Sequence, residues 1–219
     1  VTGVQTCALP ISFAEGYPRV TEALAGGQAA ELHPDAPGFH GEKEAPANEA
    51  PAGPVPLLEG TFAIFPTPDD ALVVVLDGIE DPQNLGAAAR SAEAAGASLL
   101  VTRRARAADV TPAAVRASAG ALLHLPHARV ANLVRAIERL RDNGFTVVGL
   151  DEHATTGLGD GRPDGPLAIV VGAEGEGLSR LVRERCDRLV ALPMRGRVGS
   201  LNASAALAAV LYAYALRDW

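Results

Sequence analysis

Residues Val73 to Ala97 read VVVLDGIEDPQNLGAAARSAEAAGA, and the fold turns on how this stretch is read. A continuous β-branched run stops at an acidic, Pro-containing loop, and an Ala-rich segment follows. ALVVVL (71–76) lacks the alternation of a half-exposed strand, so it reads as a parallel strand buried on both faces. LGAAARSAEAAG (85–96) reads as a helix with Asn84 as its N-cap and Gly96 as its stop. SLLVT (98–102) returns to strand. A strand, a helix and a second strand in this spacing make a parallel crossover unit.

The same punctuation continues along the chain. VANLVRAIERLRDNG (130–144) puts Val130, Leu133, Val134, Ile137 and Leu140 on one helical stripe and stops at Asn143-Gly144. FTVVGL (145–150), LAIVV (167–171) and RLVALP (188–193) read as further strands. A helix is expected near Leu178, and a last one from Ser200 to Leu216. The expected fold is therefore α/β, a doubly wound parallel sheet with helices on both faces. Ligands of such sheets bind beyond the carboxyl ends of the strands, so the chemistry is expected in the loops after Leu76, Val171 and Leu192.

Composition bounds the rest. The chain has 219 residues, 48% of them apolar, and a formal charge of −7. Residues 1–60 hold eight acids against Arg19 and Lys43, while residues 61–219 hold 18 acids against 17 arginines. The acidity belongs to the N-terminal part and does not exclude an anionic partner for the remainder. Cys7 and Cys186 make neither a disulfide framework nor a metal cluster. No apolar run is long enough to span a membrane, and the start is a poor export signal, so a cytoplasmic protein is expected. VTGVQTCALPIS (1–12) resembles translated sequencing-adapter read-through and is expected to be foreign. Residues 13–66 carry a short helical pattern at Val20–Leu24, followed by HPDAPGFHGEKEAPANEAPAGPVP, which reads as linker. Residues 67–219 form the main domain.

Each of the three loops has two readings. Arg90 is either a solvated residue paired with Glu93 or the working end of a site. VVGAEGEGLS (170–179) is either a tight turn or a ligand loop. Its G-x-x-G-x-G spacing and its carboxylates Glu174 and Glu176 match neither a dinucleotide fingerprint nor a phosphate loop. A cationic or neutral ligand, such as a sulfonium cofactor, suits it better. In LPMRGRVGSLNASAALAAV (192–210), Ser200 is a natural N-cap, and Asn202 in the first turn needs partners if buried. His124 and His127 flank Pro126 without a third ligand, so no metal site is expected. Cys186 reads as buried packing. Arg103, Arg104, Arg106, Arg195 and Arg197 read either as a solvated face or as RNA phosphate contacts.

Taken together and in order, N-L-G-x-x-x-R, G-A-E-G-E-G and L-P-M…S-L-N-x-S resemble the three motifs of the SpoU (TrmH-like) RNA 2′-O-ribose methyltransferases of the SPOUT class. The resemblance covers roughly residues 71–219. RASAGALLHLPHARVANLVRAIERLRDNGFTVVGLD and ERCDRLVALPM are similar to the 23S rRNA guanosine branch (RlmB-like). It implies a C-terminal deep trefoil knot, which sequence rules alone would exclude. It also implies S-adenosylmethionine held at Gly172, Leu192, Met194 and Leu201, and a homodimer with sites completed at the interface, to which the last helix with Tyr212, Tyr214 and Trp219 could contribute. It places Arg90 at the base position, surrounded by Asn84, Glu174, Ser200 and Asn202. Members of this branch carry a small N-terminal domain resembling a ribosomal protein. FAEGYPRVTEALAGG (13–27) matches part of one only faintly, so a truncated substrate-binding region is expected. Three functions follow for testing. The first is an rRNA guanosine 2′-O-methyltransferase, with a tRNA enzyme as near neighbour. The others are a cofactor-holding RNA-binding protein impaired in activity and a nucleotide-binding oxidoreductase, against which the acidic glycine loop argues.

Overall fold

The computed structural model describes residues 57–59 and 71–215. The readings of residues 1–12, of the Val20–Leu24 helix, of the linker, of Cys7 and of Trp219 lie outside the described residues. In chain order the elements are β1 (Leu57–Glu59), β2 (Leu72–Asp77), α1 (Pro82–Ala94), β3 (Leu99–Arg103) and α2 (Pro112–Ala117). A 3₁₀ turn at Ala121–Leu123 precedes β4 (His127–Val130), α3 (Leu133–Asp142), β5 (Thr146–Leu150) and β6 (Thr156–Gly157). After a second 3₁₀ turn come β7 (Leu167–Gly172), α4 (Arg180–Arg183), β8 (Arg188–Ala191) and α5 (Ala203–Ala215).

The strands form one sheet in the order β1-β4-β3-β2-β7-β5-β8-β6, and every pairing is parallel. The two central strands, β2 and β7, are buried at all six positions, as their continuous apolar runs require. Two cores result from the strand parity. Leu72, Val74 and Leu76 face α1, α2 and α5, while Val73 and Val75 face α3 and α4. Helix α3 buries Leu133, Ala136, Ile137 and Leu140, the expected stripe less Val130 and Val134. Each of its three large side chains contributes about 1.5–3 kcal/mol by burial.

Several boundaries differ from the expected ones. Helix α1 begins at Pro82, because Asp81 takes the cap and accepts a hydrogen bond from Gln83 N at 3.0 Å. Proline suits the first helical position, so the Asp-Pro pair outranks Asn84, which becomes the third residue of the helix. Val130 ends β4 rather than starting α3, whose cap is Asn132. Strands β1, β4 and β6 and helix α2 were not expected. Gly86 serves helix packing, since a Cβ there would lie 2.6 Å from Ala117 Cβ and collide with the Ala114 carbonyl.

The strand order reverses between β2 and β7. Strands β3, β4 and β1 lie on one side and β5, β8 and β6 on the other. After β8 the chain returns across the ends of β5 and β7 to pack α5 on α1. Leu192, Met194 and Gly199 to Leu201, on that return, line one cavity with residues of the loops that follow β5 and β7. Among the described residues no helix is long and apolar enough to cross a membrane.

Candidate active site

The carboxyl ends of β2, β7 and β8 bring the three expected loops together. The loop after β7 turns sharply. Gly177 N donates to Ala173 O at 2.8 Å, and the two residues form an isolated antiparallel bridge. A Cβ on Gly172 would collide with the carbonyl group of Gly177, and Gly175 and Gly177 adopt φ of +79° and +66°. Three glycines are thus needed simply to make the turn. Its tip leaves Glu174 and Glu176 exposed.

Asn202 joins the loops. Its Nδ2 donates to Asn84 Oδ1 at 2.9 Å and to Glu174 Oε2 at 3.1 Å. Its Oδ1 accepts from Ser204 N at 3.0 Å and Ser204 Oγ at 2.6 Å, and its carbonyl accepts from Ala206 N. Asn202 is therefore the N-cap of α5, a position expected for Ser200. Asparagine wins because one side chain can both cap the helix and donate outward. Ser200 stays exposed, and among the described residues its hydroxyl has no hydrogen-bond partner.

Beside this junction lies a cavity of about 460 Å³. Gly172, Leu192, Met194 and Leu201 all line it, together with Glu174 and Ser200. Gly172 is buried, while Met194 and Leu201 are 39% and 43% exposed. Asp151, Glu152 and Glu176 add carboxylates to the wall. The one arginine there, Arg183, sits 2.8 Å from Asp151 Oδ2 as an ion pair, out of line for a hydrogen bond. Asp151 Oδ1 accepts from His153 N at 2.9 Å.

Arg90 stands apart from the junction. It lies on the exposed face of α1 with Gln83 and Ala94, about 120° round the helix from Asn84. Among the described residues it makes no hydrogen bond or ion pair, so the Glu93 pairing is not formed. Arg103 differs from its neighbours, because it is ion-paired with the buried Asp77. Its reading as a phosphate contact is thereby corrected. Arg104, Arg106, Arg195 and Arg197 are exposed.

The remaining candidates have structural explanations. His127 is fully buried, with Nε2 2.8 Å from Thr102 Oγ1. Burial, and then Arg129, push its pKa down from 6.5 to about 4. Among the described residues no three metal-ligating side chains gather. Cys186 packs beside Gly149, and burial, then the nearby acids, push its thiol up to about 12. Sequence reasoning overlooked Asp77 and Asp151. Both were signalled by a carboxylate placed directly after an apolar strand, in VVVLD and VVGLD.

Comparison with known proteins agrees with this arrangement. The SpoU rRNA Methylase family matches residues 71–212. A 23S rRNA (guanosine-2′-O-)-methyltransferase, RlmB, of Photobacterium profundum is 45% identical over 156 residues, covering 71% of this chain and 61% of the relative. An uncharacterised tRNA/rRNA methyltransferase of Mycobacterium leprae is 52% identical over 142 residues, 64% of this chain and 46% of that protein. The chain thus spans about half the length of the curated relatives it matches. The SpoU methyltransferase AviRb from Streptomyces viridochromogenes, crystallised with the cofactor AdoMet, superposes with a TM-score of 0.63 at 38% identity, over 70% of this chain and 59% of that one. With the motif loops, the sheet order and the matched region in agreement, the chain belongs to the SpoU rRNA methylase family.

Proposed function

We propose that the protein is an S-adenosylmethionine-dependent RNA ribose 2′-O-methyltransferase acting on a guanosine of 23S rRNA. The observation that carries this reading is the Asn202 junction, which ties all three motif loops together at the mouth of one cavity. The guanosine and the ribosomal substrate rest on the RlmB relative. Residues 67–219 are the catalytic unit in this reading, and a ribosomal substrate places the enzyme in the cytoplasm.

The cavity fits the cofactor on chemical grounds. Its wall carries Asp151, Glu152, Glu174 and Glu176 against Arg183, which Asp151 already occupies. Such a wall suits a positively charged sulfonium and repels a pyrophosphate, which argues against a nucleotide oxidoreductase. Gly172, Leu192, Met194 and Leu201 hold the cofactor in the cavity. Bound there, S-adenosylmethionine supplies a methyl group on an electrophilic sulfur.

The chain's own residues must then activate a ribose 2′-hydroxyl. Arg90 is the group for this, an exposed guanidinium without a partner among the described residues. A guanidinium offers donors and no acceptor, so its role is to orient the hydroxyl and stabilise the developing alkoxide. Ser200 offers its hydroxyl to the substrate at the cavity mouth. Asn84 and Glu174 hold Asn202, and hence the start of α5, in place. Arg90 is exposed about 120° round α1 from Asn84, and in a homodimer it serves the partner's site. The outward face of α5, formed by Ala205, Ala209, Tyr212 and Ala213, is apolar as such an interface requires. Arg104, Arg106, Arg195 and Arg197 are the phosphate contacts.

Methyl transfer from labelled S-adenosylmethionine to 23S rRNA and tRNA transcripts tests this, with the modified nucleoside identified by mass spectrometry. The expected product is 2′-O-methylguanosine in 23S rRNA, with the rate lowered at least about a hundredfold by Arg90→Ala. Methylation of tRNA alone would move the substrate, and folded protein that binds no cofactor would sink the reading.

A further inference from the structure

We infer that Asp77 is a positioning residue that holds both ends of the glycine loop carrying Glu174. The inference rests on the methyltransferase reading for its functional consequence, and on geometry for the rest. Asp77 is the last residue of β2 and only 2% exposed. Its backbone is in register with Gly172, where the loop leaves β7. Its carboxylate closes the other end, because Oδ2 accepts from Ser179 N at 2.8 Å. The span from residue 172 to residue 179 is therefore anchored at entry and exit by one residue.

Arg103 completes the clamp. It pairs with Asp77 Oδ1 and donates to Ser179 Oγ at 3.1 Å through the same nitrogen. Ser179 occupies the N-cap position of α4, yet its side chain makes no capping bond. Its hydroxyl is turned toward Arg103 instead. A serine drawn away from the role its position favours indicates that the clamp takes precedence over the one-turn helix. A buried carboxylate is also costly unless fully partnered, and here both oxygens have partners.

Asp77 does not line the cavity, so it acts through the loop. Between the anchored ends, the loop turns on Gly175 and Gly177 and presents Glu174 to Asn202. A loose exit at Ser179 lets the tip move, and with it both the cavity wall and the start of α5. Neutral asparagine at position 77 retains the size. Its amide nitrogen, however, must face either Arg103 or Ser179 N, and both are donors.

The test compares the intact protein with Asp77→Asn, with Asp77→Asn/Arg103→Gln, and with the control Asp109→Asn, which removes a separate carboxylate paired with Arg129. Hydrogen exchange of amides 173–179, read without cofactor, is followed by calorimetric titration with S-adenosylmethionine. In Asp77→Asn the loop amides are expected to exchange about tenfold faster, with those of α3 unchanged, and the cofactor Kd to rise about tenfold. The double variant is expected to stay loose and the control to match the parent. Wild-type exchange in the loop of Asp77→Asn overturns the inference. So does a loss of protection spread evenly over the sheet, which marks a general destabilisation. Recovery in the double variant overturns it too, since Asp77 would then serve only to neutralise Arg103. If the unaltered protein binds no cofactor while the loop still loosens, the methyltransferase reading falls and the clamp stands.

Discussion

His127 shows how a single buried side chain sets a condition on the whole fold. Its ring lies between β3 and β4, with Nε2 on the Thr102 hydroxyl and Nδ1 without a partner among the described residues. Burial disfavours the charged form, and Arg129 disfavours it further, so the ring stays neutral down to a pH of about 4. The unfolded chain binds a proton near 6.5 and the folded one only near 4. Between those values, then, the unfolded state holds the extra proton and stability falls as the pH falls. Below about 4 both states are protonated, and the full loss, about 3 kcal/mol, has been reached. Urea midpoints at pH 7 and pH 4.5 check this against His127→Gln, which can still bond Thr102 but does not titrate. The parent is expected to lose about 2–3 kcal/mol more than the variant between the two conditions. Equal losses would mean that other groups dominate the acid sensitivity.

At the scale of elements, α5 owes both its start and its place to one asparagine. Asn202 Oδ1 caps the helix, and Asn202 Nδ2 ties it to α1 and to the glycine loop. The two jobs can be separated. Serine at this position keeps a capping oxygen and loses the outward donors, whereas alanine loses both. Asn202→Ser is expected to unfold within about 0.5 kcal/mol of the parent and Asn202→Ala about 1 kcal/mol below it. Both should weaken S-adenosylmethionine binding about tenfold by calorimetry. If serine restores affinity as well as stability, the bridge has no part in the site. This double use also explains what the sequence concealed. Runs such as LVVVL and LAIVV announce buried strands, since their apolar content needs no partner to be understood. HARV does not, because His127 is acceptable in a strand only through Thr102, 25 residues away. The three motif loops could be read in order, and the four positions expected to contact the cofactor line one cavity. The Asp77 clamp could not be read so, since its partners lie 26 and 102 residues distant. Helix starts were misplaced for a local reason. At α1 and at α5 two capping residues stood close together: Pro82 decides for Asp81 over Asn84, and the bonds to Asn84 and Glu174 decide for Asn202 over Ser200.

At the scale of the molecule, the proposed site divides in two. The Asn84–Asn202–Glu174 junction and the cavity lie together, while Arg90 is on an exposed face of α1 and does not line the cavity. If a two-fold dimer supplies Arg90 to the partner's cavity, an Arg90→Ala chain has a sound cavity and lacks only its own contribution across the interface. An Asn202→Ala chain has the complementary defect. With cofactor held below its Kd, Arg90→Ala alone is expected to keep about a hundredth and Asn202→Ala alone about a tenth of the parent rate. Mixing them in equal amounts, with brief denaturant exposure to exchange subunits, gives about half heterodimers by random pairing. In each heterodimer one site collects both defects and the other collects neither. The mixture should therefore recover about a quarter of the parent activity, because half the dimers hold one intact site of two. Were Arg90 to serve the cavity of its own chain, every site in every heterodimer would carry one defect, and activity would not rise above the average of the two variants. Sedimentation velocity on the same samples shows whether dimers formed. Recovery near a quarter thus identifies the active unit as a pair of chains, and a mixture of confirmed dimers without that recovery returns Arg90 to its own subunit.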